Sequence, residues 1–324
     1  MRIISVREMI SVICPIYNEE MHIENILNFF VNSEPKDKEL ILIDGGSTDD
    51  TVKNIEEWLK KHHNIIVLHN ADKYVPFALN LAIKKSLGDP VIRLDAHTIY
   101  EPDYFEKILE TFKDTGADIV GGPMRATGKT PFQRAVAYCT STIFGIGDSK
   151  IHDENFSGYT DHVYLGAWRR NIFYEIGYFD EELIRNQDDE FHYRAKSFEK
   201  KIYLNSQIKS LYYPRSSVIK LIKQYFQYGL FKPLVLKKVK SEIKFRHLIP
   251  SAFVLYIITV FFLAGIKLIF LPLVIYFILQ IWFSFVNFLS TVEKLFAIII
   301  YPALHLSYGV GFLAGLGKLV RFSK

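Results

Sequence analysis

The sequence predicts an α/β domain with a mainly parallel sheet flanked by helices, followed by transmembrane or interfacial helices. Three observations carry that expectation. Short apolar runs alternate with stretches of helical spacing from Ile10 to Thr115. Three of those runs end in polar clusters. Charge almost vanishes after His247: residues 248–324 hold six charged side chains, against 68 in residues 1–247.

The elements follow in order. Ile10–Cys14 is an apolar run ending at Pro15, as a buried strand would be. Glu19–Asn32 has helical spacing, with Ile23, Ile26, Leu27 and Phe30 on one side. Glu39–Asp44 reads as a second strand, and Thr48 or Asp49 can cap a helix over Thr51–Lys61. Asn64–Leu68 is a third strand, Pro76–Ser86 a helix containing Asn80, Asp89–Asp95 a fourth strand, and Pro102–Thr115 a further helix. Such alternation indicates parallel strands with right-handed crossovers. Ligands in such sheets bind beyond the C-terminal strand ends. The tails Pro15–Glu19, Asp44–Ser47 and Asp95–His97 are therefore expected to gather at one rim.

The chain has 324 residues and a formal net charge of +4, which argues against nucleic acid as a partner. That total hides a division. Residues 1–206 carry −9, residues 207–247 carry +9 with Glu242 as their one acid, and residues 248–324 carry +4. Two cysteines, Cys14 and Cys139, make no disulfide scaffold and no zinc pair. The chain lacks a G-x-G-x-x-G after the first strand and lacks a P-loop, so dinucleotide-binding and P-loop folds lose their main support.

Uncharged stretches run over Leu248–Ile266, Leu268–Val292 and Leu295–Gly317. A bilayer core needs about 20 apolar residues as helix. Two transmembrane helices are expected, at about 248–266 and 268–290, with a turn near Lys267. The third stretch, about 295–317, carries Pro302, His305 and four glycines, and can span, re-enter or lie on the interface. The basic flank before the first run favours a cytoplasmic location for the N-terminal part. Lys318, Arg321 and Lys324 prefer that side too, which favours two crossings with the third stretch interfacial. Met1–Pro15 includes Glu8 and does not read as a secretory signal. The expected division is an α/β domain over 1–214, a basic amphipathic interfacial segment over 215–247, and a membrane domain over 248–324.

Four motifs in order carry a resemblance: Pro15-x-Tyr17-Asn18-Glu19, Ile43-Asp44-Gly45-Gly46-Ser47-Thr48-Asp49, Asp95-x-His97 and Asn186-Gln187-Asp188-Asp189-Glu190. Together they resemble family-2 glycosyltransferases of the GT-A fold, in particular the membrane-anchored enzymes of succinoglycan-type polysaccharide assembly. The resemblance covers residues 10–230 and, in outline, the membrane tail. It implies a metal-dependent inverting glycosyltransferase of hexosyltransferase type. The implied donor is a nucleoside-diphosphate sugar, with a UDP-sugar expected. The implied acceptor is membrane-associated, with a polyprenyl-diphosphate-linked saccharide preferred.

The resemblance also implies roles. Asp44 would bind the nucleotide base, with Pro15, Tyr17 and Glu19 around base and ribose; the same residues also read as a turn with a helix cap. Asp95 and His97 stand where the family has Asp-x-Asp and would hold Mn²⁺ or Mg²⁺, which neutralises the departing diphosphate. His97 replaces the second carboxylate, and a loop hydrogen bond is its other reading. Asp188 would be the base that deprotonates the acceptor, with Asp189, one residue on, in reserve. An acidic helix N-terminus is the alternative there.

Arg169 and Arg170 read as phosphate contacts or as a basic helix start. His152, Asp161 and His162 read as loop residues. Gln224 and Tyr228 fall where processive relatives carry Gln-x-x-Arg-Trp; Gln227 and Tyr228 replace that Arg and Trp, which weakens the case for a polymer-extruding synthase and leaves acceptor contact as the implied role. Two other functions stay open: a polyprenyl-monophosphate sugar synthase, and an inactive membrane scaffold that binds nucleotide sugar. The expected location is the cell membrane, with the catalytic domain cytoplasmic.

Overall fold

The computed structural model describes residues 9–239, 243–286 and 289–322. Expectations resting on residues 1–8, Lys240, Glu242 and Lys324 lie outside the described residues, as do those on the side chain of Arg321. The chain divides into two compact units, one of residues 1–125 and 153–212, the other of residues 126–152 and 213–324.

The first unit is built on strands β1 (Ile10–Ile16), β2 (Lys38–Asp44), β3 (Ile65–His69), β4 (Val91–Arg93) and β5 (Ile99–Tyr100). Helices α1 (Ile23–Asn32), α2 (Thr51–Leu59), α3 (Val75–Lys85) and α4 (Tyr104–Thr115) alternate with them. There follow β6 (Ile119–Gly122), β7 (Arg125–Ala126), β8 (Gly158–Tyr159), β9 (Tyr164–Trp168), β10 (Ile202–Leu204) and β11 (Ser210–Tyr212). An eight-stranded sheet has the order β3-β2-β1-β4-β9-β6-β10-β8. β1 runs parallel to β2 and β4, β2 to β3, and β6 to β10; β9 is antiparallel to β4 and β6, and β8 to β10. The mainly parallel sheet is as expected.

The apolar runs are buried because helices cover both faces. On one face Ile23, Ile26, Leu27 and Phe30 of α1 pack with Ile55 of α2 and with Tyr104, Phe105 and Ile108 of α4. On the other, Ala78, Leu79 and Ala82 of α3 meet Ile172 and Phe173 of α7 (Ile172–Glu175) and Phe191 of α8 (Gln187–Ser197). β4 is shorter than the expected Asp89–Asp95; its ladder to β1 begins at Val91, after Pro90, which has no N–H to donate. Asn80, buried in α3, accepts from the Phe179 N–H and donates to the Phe179 carbonyl, both at 2.9 Å, and also donates to Glu181. These bonds fix the segment that leads into α8.

The second unit contains α5 (Pro131–Ser141), α6 (Ile143–Ile146), α9 (Val218–Lys238), α10 (Phe245–Phe262), α11 (Leu271–Phe285) and α12 (Thr291–Phe322). Residues 126–152, which the sequence reading places with the N-terminal domain, pack here. Phe132, Ala135, Val136 and Cys139 of α5 share a core with Leu221 of α9 and with Ala297, Ile300, Tyr301 and Leu304 of α12. Among the described residues, three helices are long and apolar enough to cross a membrane: Phe245–Phe262, Lys267–Phe285 and Thr291–Leu319. The third stretch, left open by the sequence, is one continuous helix of spanning length.

Two details explain that continuity. Pro302 cannot donate to the carbonyl four residues back, Ile298; the Gln280 amide of α11 donates to that carbonyl at 2.5 Å. The glycines let helices approach closely. A Cβ on Gly311 would lie 2.2 Å from the Phe226 carbonyl oxygen of α9, and one on Gly315 would lie 2.4 Å from that of Leu230. Gly317 has nothing within 4 Å. Gly311→Ala should therefore destabilise the folded chain by about 1–3 kcal/mol, read as a lowered Tm in detergent. Gly317→Ala should be neutral, or stabilising by up to ~1 kcal/mol through helix propensity.

Candidate active site

Parallel pairing decides where the polar tails go. Ile16 of β1 lies beside Asp44 of β2, and Ile13 beside Arg93 of β4. The residues after each strand therefore emerge at one edge, and the expected rim forms.

Asp44 is buried and closes a turn: its carboxylate accepts from the Gly46 N–H at 3.2 Å, the Ser47 N–H at 3.0 Å and the Ser47 hydroxyl at 2.7 Å. Gly46 has φ +83° within that turn, a conformation suited to glycine. Asn18 ties the neighbouring loop to it: its N–H donates to Ser47 Oγ and its side-chain oxygen accepts from the Thr48 N–H. The Glu19 N–H donates to Thr51 Oγ1 at 2.7 Å. Pro15 lies within β1 opposite Ile43, and the Tyr17 ring is exposed. A third loop joins them through the Asn70 N–H, which donates to the Asp44 carbonyl at 2.8 Å. It carries Lys73, whose Cε would sit 3.7 Å from a Cβ on Gly46. Lys73 is a cation beside the base-binding candidate that the sequence reading did not single out.

The β4 end carries the main electrostatic feature. Arg93 is 8% exposed. Its Nε and Nη2 donate to Asp95 Oδ1 at 3.1 and 3.0 Å, and its Nη1 donates to both oxygens of Asp188 at 2.9 and 2.8 Å. Burial works against the charge, but Asp188 and Asp95 outweigh it and hold the guanidinium protonated. The Asp95 backbone N–H donates to the Tyr100 hydroxyl at 2.7 Å. Beneath the rim, burial and then Asp95 and Glu19 push the Cys14 thiol well up, so it is not a thiolate.

α8 begins just after Asn186, whose φ of 60° turns the chain into the helix. Asp188, Asp189 and Glu190 occupy its first turn, where the dipole favours negative charge. They face different partners. Asp188 meets Arg93, and its side chain keeps 35% exposure. Asp189 lies 3.5 Å from His162 Nδ1. Glu190 is buried against Arg194. His162 in turn meets His192 at 2.9 Å; burial, then His162, keeps the His192 imidazole well below its ordinary pKa and neutral.

Glu19 is shared by two imidazoles, with Oε1 3.0 Å from His97 Nδ1 and Oε2 3.0 Å from His22 Nδ1. A ligand role for His97 would therefore have to go through Nε2. Among the described residues, no group of three or more His, Cys, Asp or Glu side chains is arranged to hold a metal ion. Arg93 occupies Asp95 Oδ1; among the described residues no side chain donates to Oδ2. One open carboxylate oxygen suits a cation held largely by substrate phosphates, as Mg²⁺ usually is.

Arg169 and Arg170 are not brought to the rim. Trp168 pairs with Val91 at the start of β4, so both arginines lie at the opposite sheet edge. Arg170 donates to Ser86 Oγ, and its N–H to Asp89; Arg169 ion-pairs with Asp89 and stacks on Phe112. They tie the loop before β4 in place. Gln224 and Tyr228 belong to the second unit and hydrogen-bond to each other at 2.8 Å on α9.

The family model described as "Glycosyl transferase family 2" matches residues 11–177. The chain is 30% identical over 245 residues to the succinoglycan biosynthesis protein ExoA of Rhizobium meliloti, covering 74% of each. It is 33% identical over 240 residues to the dolichyl N-acetyl-alpha-D-glucosaminyl phosphate 3-beta-D-2,3-diacetamido-2,3-dideoxy-beta-D-glucuronosyltransferase of Methanococcus voltae, covering 71% of this chain and 74% of that one. Among solved structures it is similar to the mannosyltransferase PcManGT from Pyrobaculum calidifontis in complex with GDP-Man and Mn²⁺. That match has a TM-score of 0.62 at 16% identity, over 95% of this chain and 87% of the other. It shows a shared GT-A-like fold.

Proposed function

The chain belongs to glycosyl transferase family 2, and on that premise we propose that it is a membrane-bound inverting enzyme acting on a lipid-linked acceptor. It is a glycosyltransferase of polysaccharide or glycan biosynthesis. The proposed donor is a nucleoside-diphosphate sugar, UDP-sugars first. The GDP-Man of the Pyrobaculum complex puts GDP-sugars beside them as candidates. The proposed acceptor is a polyprenyl-diphosphate-linked saccharide. The Methanococcus relative's name, which describes transfer to a dolichyl-phosphate-linked sugar, favours a sugar already on the lipid over bare polyprenyl phosphate.

One observation carries the mechanism: Arg93 brings a donor-side carboxylate, Asp95, and a partly exposed carboxylate, Asp188, onto the same guanidinium. Asp44, Tyr17, Glu19 and Pro15 would receive base and ribose. A divalent cation, Mn²⁺ or Mg²⁺, supplies charge neutralisation for the diphosphate when bound; Asp95 would hold it through Oδ2, with His97 beside. Asp188 would accept the proton of the acceptor hydroxyl as its oxygen bonds to the anomeric carbon. The carbon–phosphate oxygen bond breaks on the opposite side, and its electron pair leaves with the nucleoside diphosphate. A single displacement inverts the anomeric centre. The three apolar helices found among the described residues would anchor the chain in the cell membrane, and the basic run over 207–247 favours a cytoplasmic catalytic unit.

A screen of UDP- and GDP-sugars for nucleoside diphosphate release, with and without Mn²⁺, tests this. Release should need both the cation and a polyprenyl-diphosphate-linked saccharide. Equal release with plain polyprenyl phosphate would favour the monophosphate sugar synthase. Donor binding with no hydrolysis or transfer would leave the scaffold.

A further inference from the structure

We propose that Arg93 is a positioning residue that holds the acceptor-activating carboxylate and the donor-side carboxylate as one array, fixing where Asp188 can take a proton relative to the bound donor. The inference rests on the glycosyl-transfer reading above. Arg93 stands in the otherwise apolar strand β4, next to Leu94 and Ile92, which are both fully buried. A charge in such a place needs partners. It has two, at sequence separations of 2 and 95, bonded through one planar fork. Nε and Nη2 point to Asp95, and Nη1 to Asp188. Among the described residues, the one other side chain recorded on Asp188 is Gln187, at a long 3.5 Å. The orientation of the Asp188 carboxylate is thus set mainly by Arg93. An ionised carboxylate keeps lone pairs beyond those Arg93 occupies, and the exposed part of Asp188 can still accept from a substrate hydroxyl.

The guanidinium also couples the two halves of the site. Asp95 follows the strand that delivers the donor side, and Asp188 heads the helix that delivers the base. A rigid fork passes no proton itself; it fixes the distance between the two carboxylates and cancels their repulsion. A lysine would supply the charge without the fork, as a point charge on a flexible stem.

The test uses the full chain in detergent, with Arg93→Lys, Arg93→Gln, Asp188→Asn and the double variant Arg93→Gln/Asp188→Asn. Donor binding with Mn²⁺ is measured by calorimetry, and kcat and KM by nucleotide release. Arg93→Lys should bind donor within about threefold of the parent while kcat falls roughly 10–100-fold, because misplacement of a reacting group by about 1 Å costs that much. The double variant should be no slower than Asp188→Asn, since Arg93 acts through Asp188 and residues acting as a unit are non-additive. If Arg93→Gln does not fold, Arg93→Lys and the double variant, which removes one charge of each sign, carry the test. Parental kcat in Arg93→Lys, multiplicative loss in the double variant, or donor affinity falling in step with kcat would each overturn the proposal. Failure of the parent chain to transfer any sugar would overturn the underlying reading as well.

Discussion

Asp188→Asn should lower kcat by roughly 10²–10⁴-fold, the range general acid–base catalysis contributes, with donor affinity little changed. Asparagine is nearly isosteric and keeps an oxygen for Arg93, so the buried guanidinium stays bonded to position 188 and ion-paired with Asp95. The lost function is proton acceptance. Asp189→Asn is the control. Asp189 faces His162 rather than Arg93, and its neighbour Glu190 is occupied by Arg194. Activity of Asp189→Asn should therefore remain within about threefold of the parent, too small a difference in transition-state stabilisation for a base. The reverse pattern would shift the base by one residue. The two neighbours meet different partners because one helical turn sends them in different directions, which is why the two variants are expected to differ.

Asp95→Asn should weaken Mn²⁺-dependent donor binding by about 10–100-fold or more, the scale of effects seen when a metal ligand's environment is disturbed. The Asp95 oxygen facing Arg93 is engaged, so the charge that the substitution removes is the one left for a cation. Binding isotherms with and without Mn²⁺ should converge in the variant. Unchanged metal dependence would remove Asp95 as a ligand and turn attention to His97 Nε2.

The gathering of the rim was legible because it depends on one rule. Parallel strands put their C-terminal ends on one edge, so Tyr17, Asp44 and Asp95 could be placed together before any coordinates. The apolar runs of β1 and β2 were recognisable because they are buried on both faces and bounded by turn residues; β3, at the sheet edge, buries only Ile65 and was read from its β-branched run. β6, β8, β9 and β10 were not, since two to five residues give no usable period. The helices α5 and α6 were equally silent about their destination. An amphipathic stretch such as Pro131–Ser141 looks the same whichever core its apolar face enters, and only the packing of Cys139 and Phe132 with Tyr301 and Ala297 assigns it to the second unit. The four glycines of the third apolar stretch were visible, but not that three of them face neighbouring backbones.

At the site, the missed residue was Arg93. The signal existed: a lone charge between the apolar Val91, Ile92 and Leu94 requires a buried partner. Asp95 two residues on was visible, whereas Asp188 was beyond reach of any local pattern. Arg169 and Arg170, read as phosphate contacts or as a basic helix start, lie away from the rim. Paired arginines invite a phosphate reading, but antiparallel β9 carries them to the edge opposite the rim, where Asp89 and Ser86 occupy them.

A rim that gathers a donor carboxylate and a base would carry out single displacement at the anomeric carbon. The anomeric configuration of the product, read from its proton NMR coupling with the donor and lipid-linked acceptor identified by the screen, tests it most directly. The product should carry a configuration opposite to that of the donor sugar, formed by the parent chain and lost in Asp188→Asn. A product that retains the donor's configuration would contradict it.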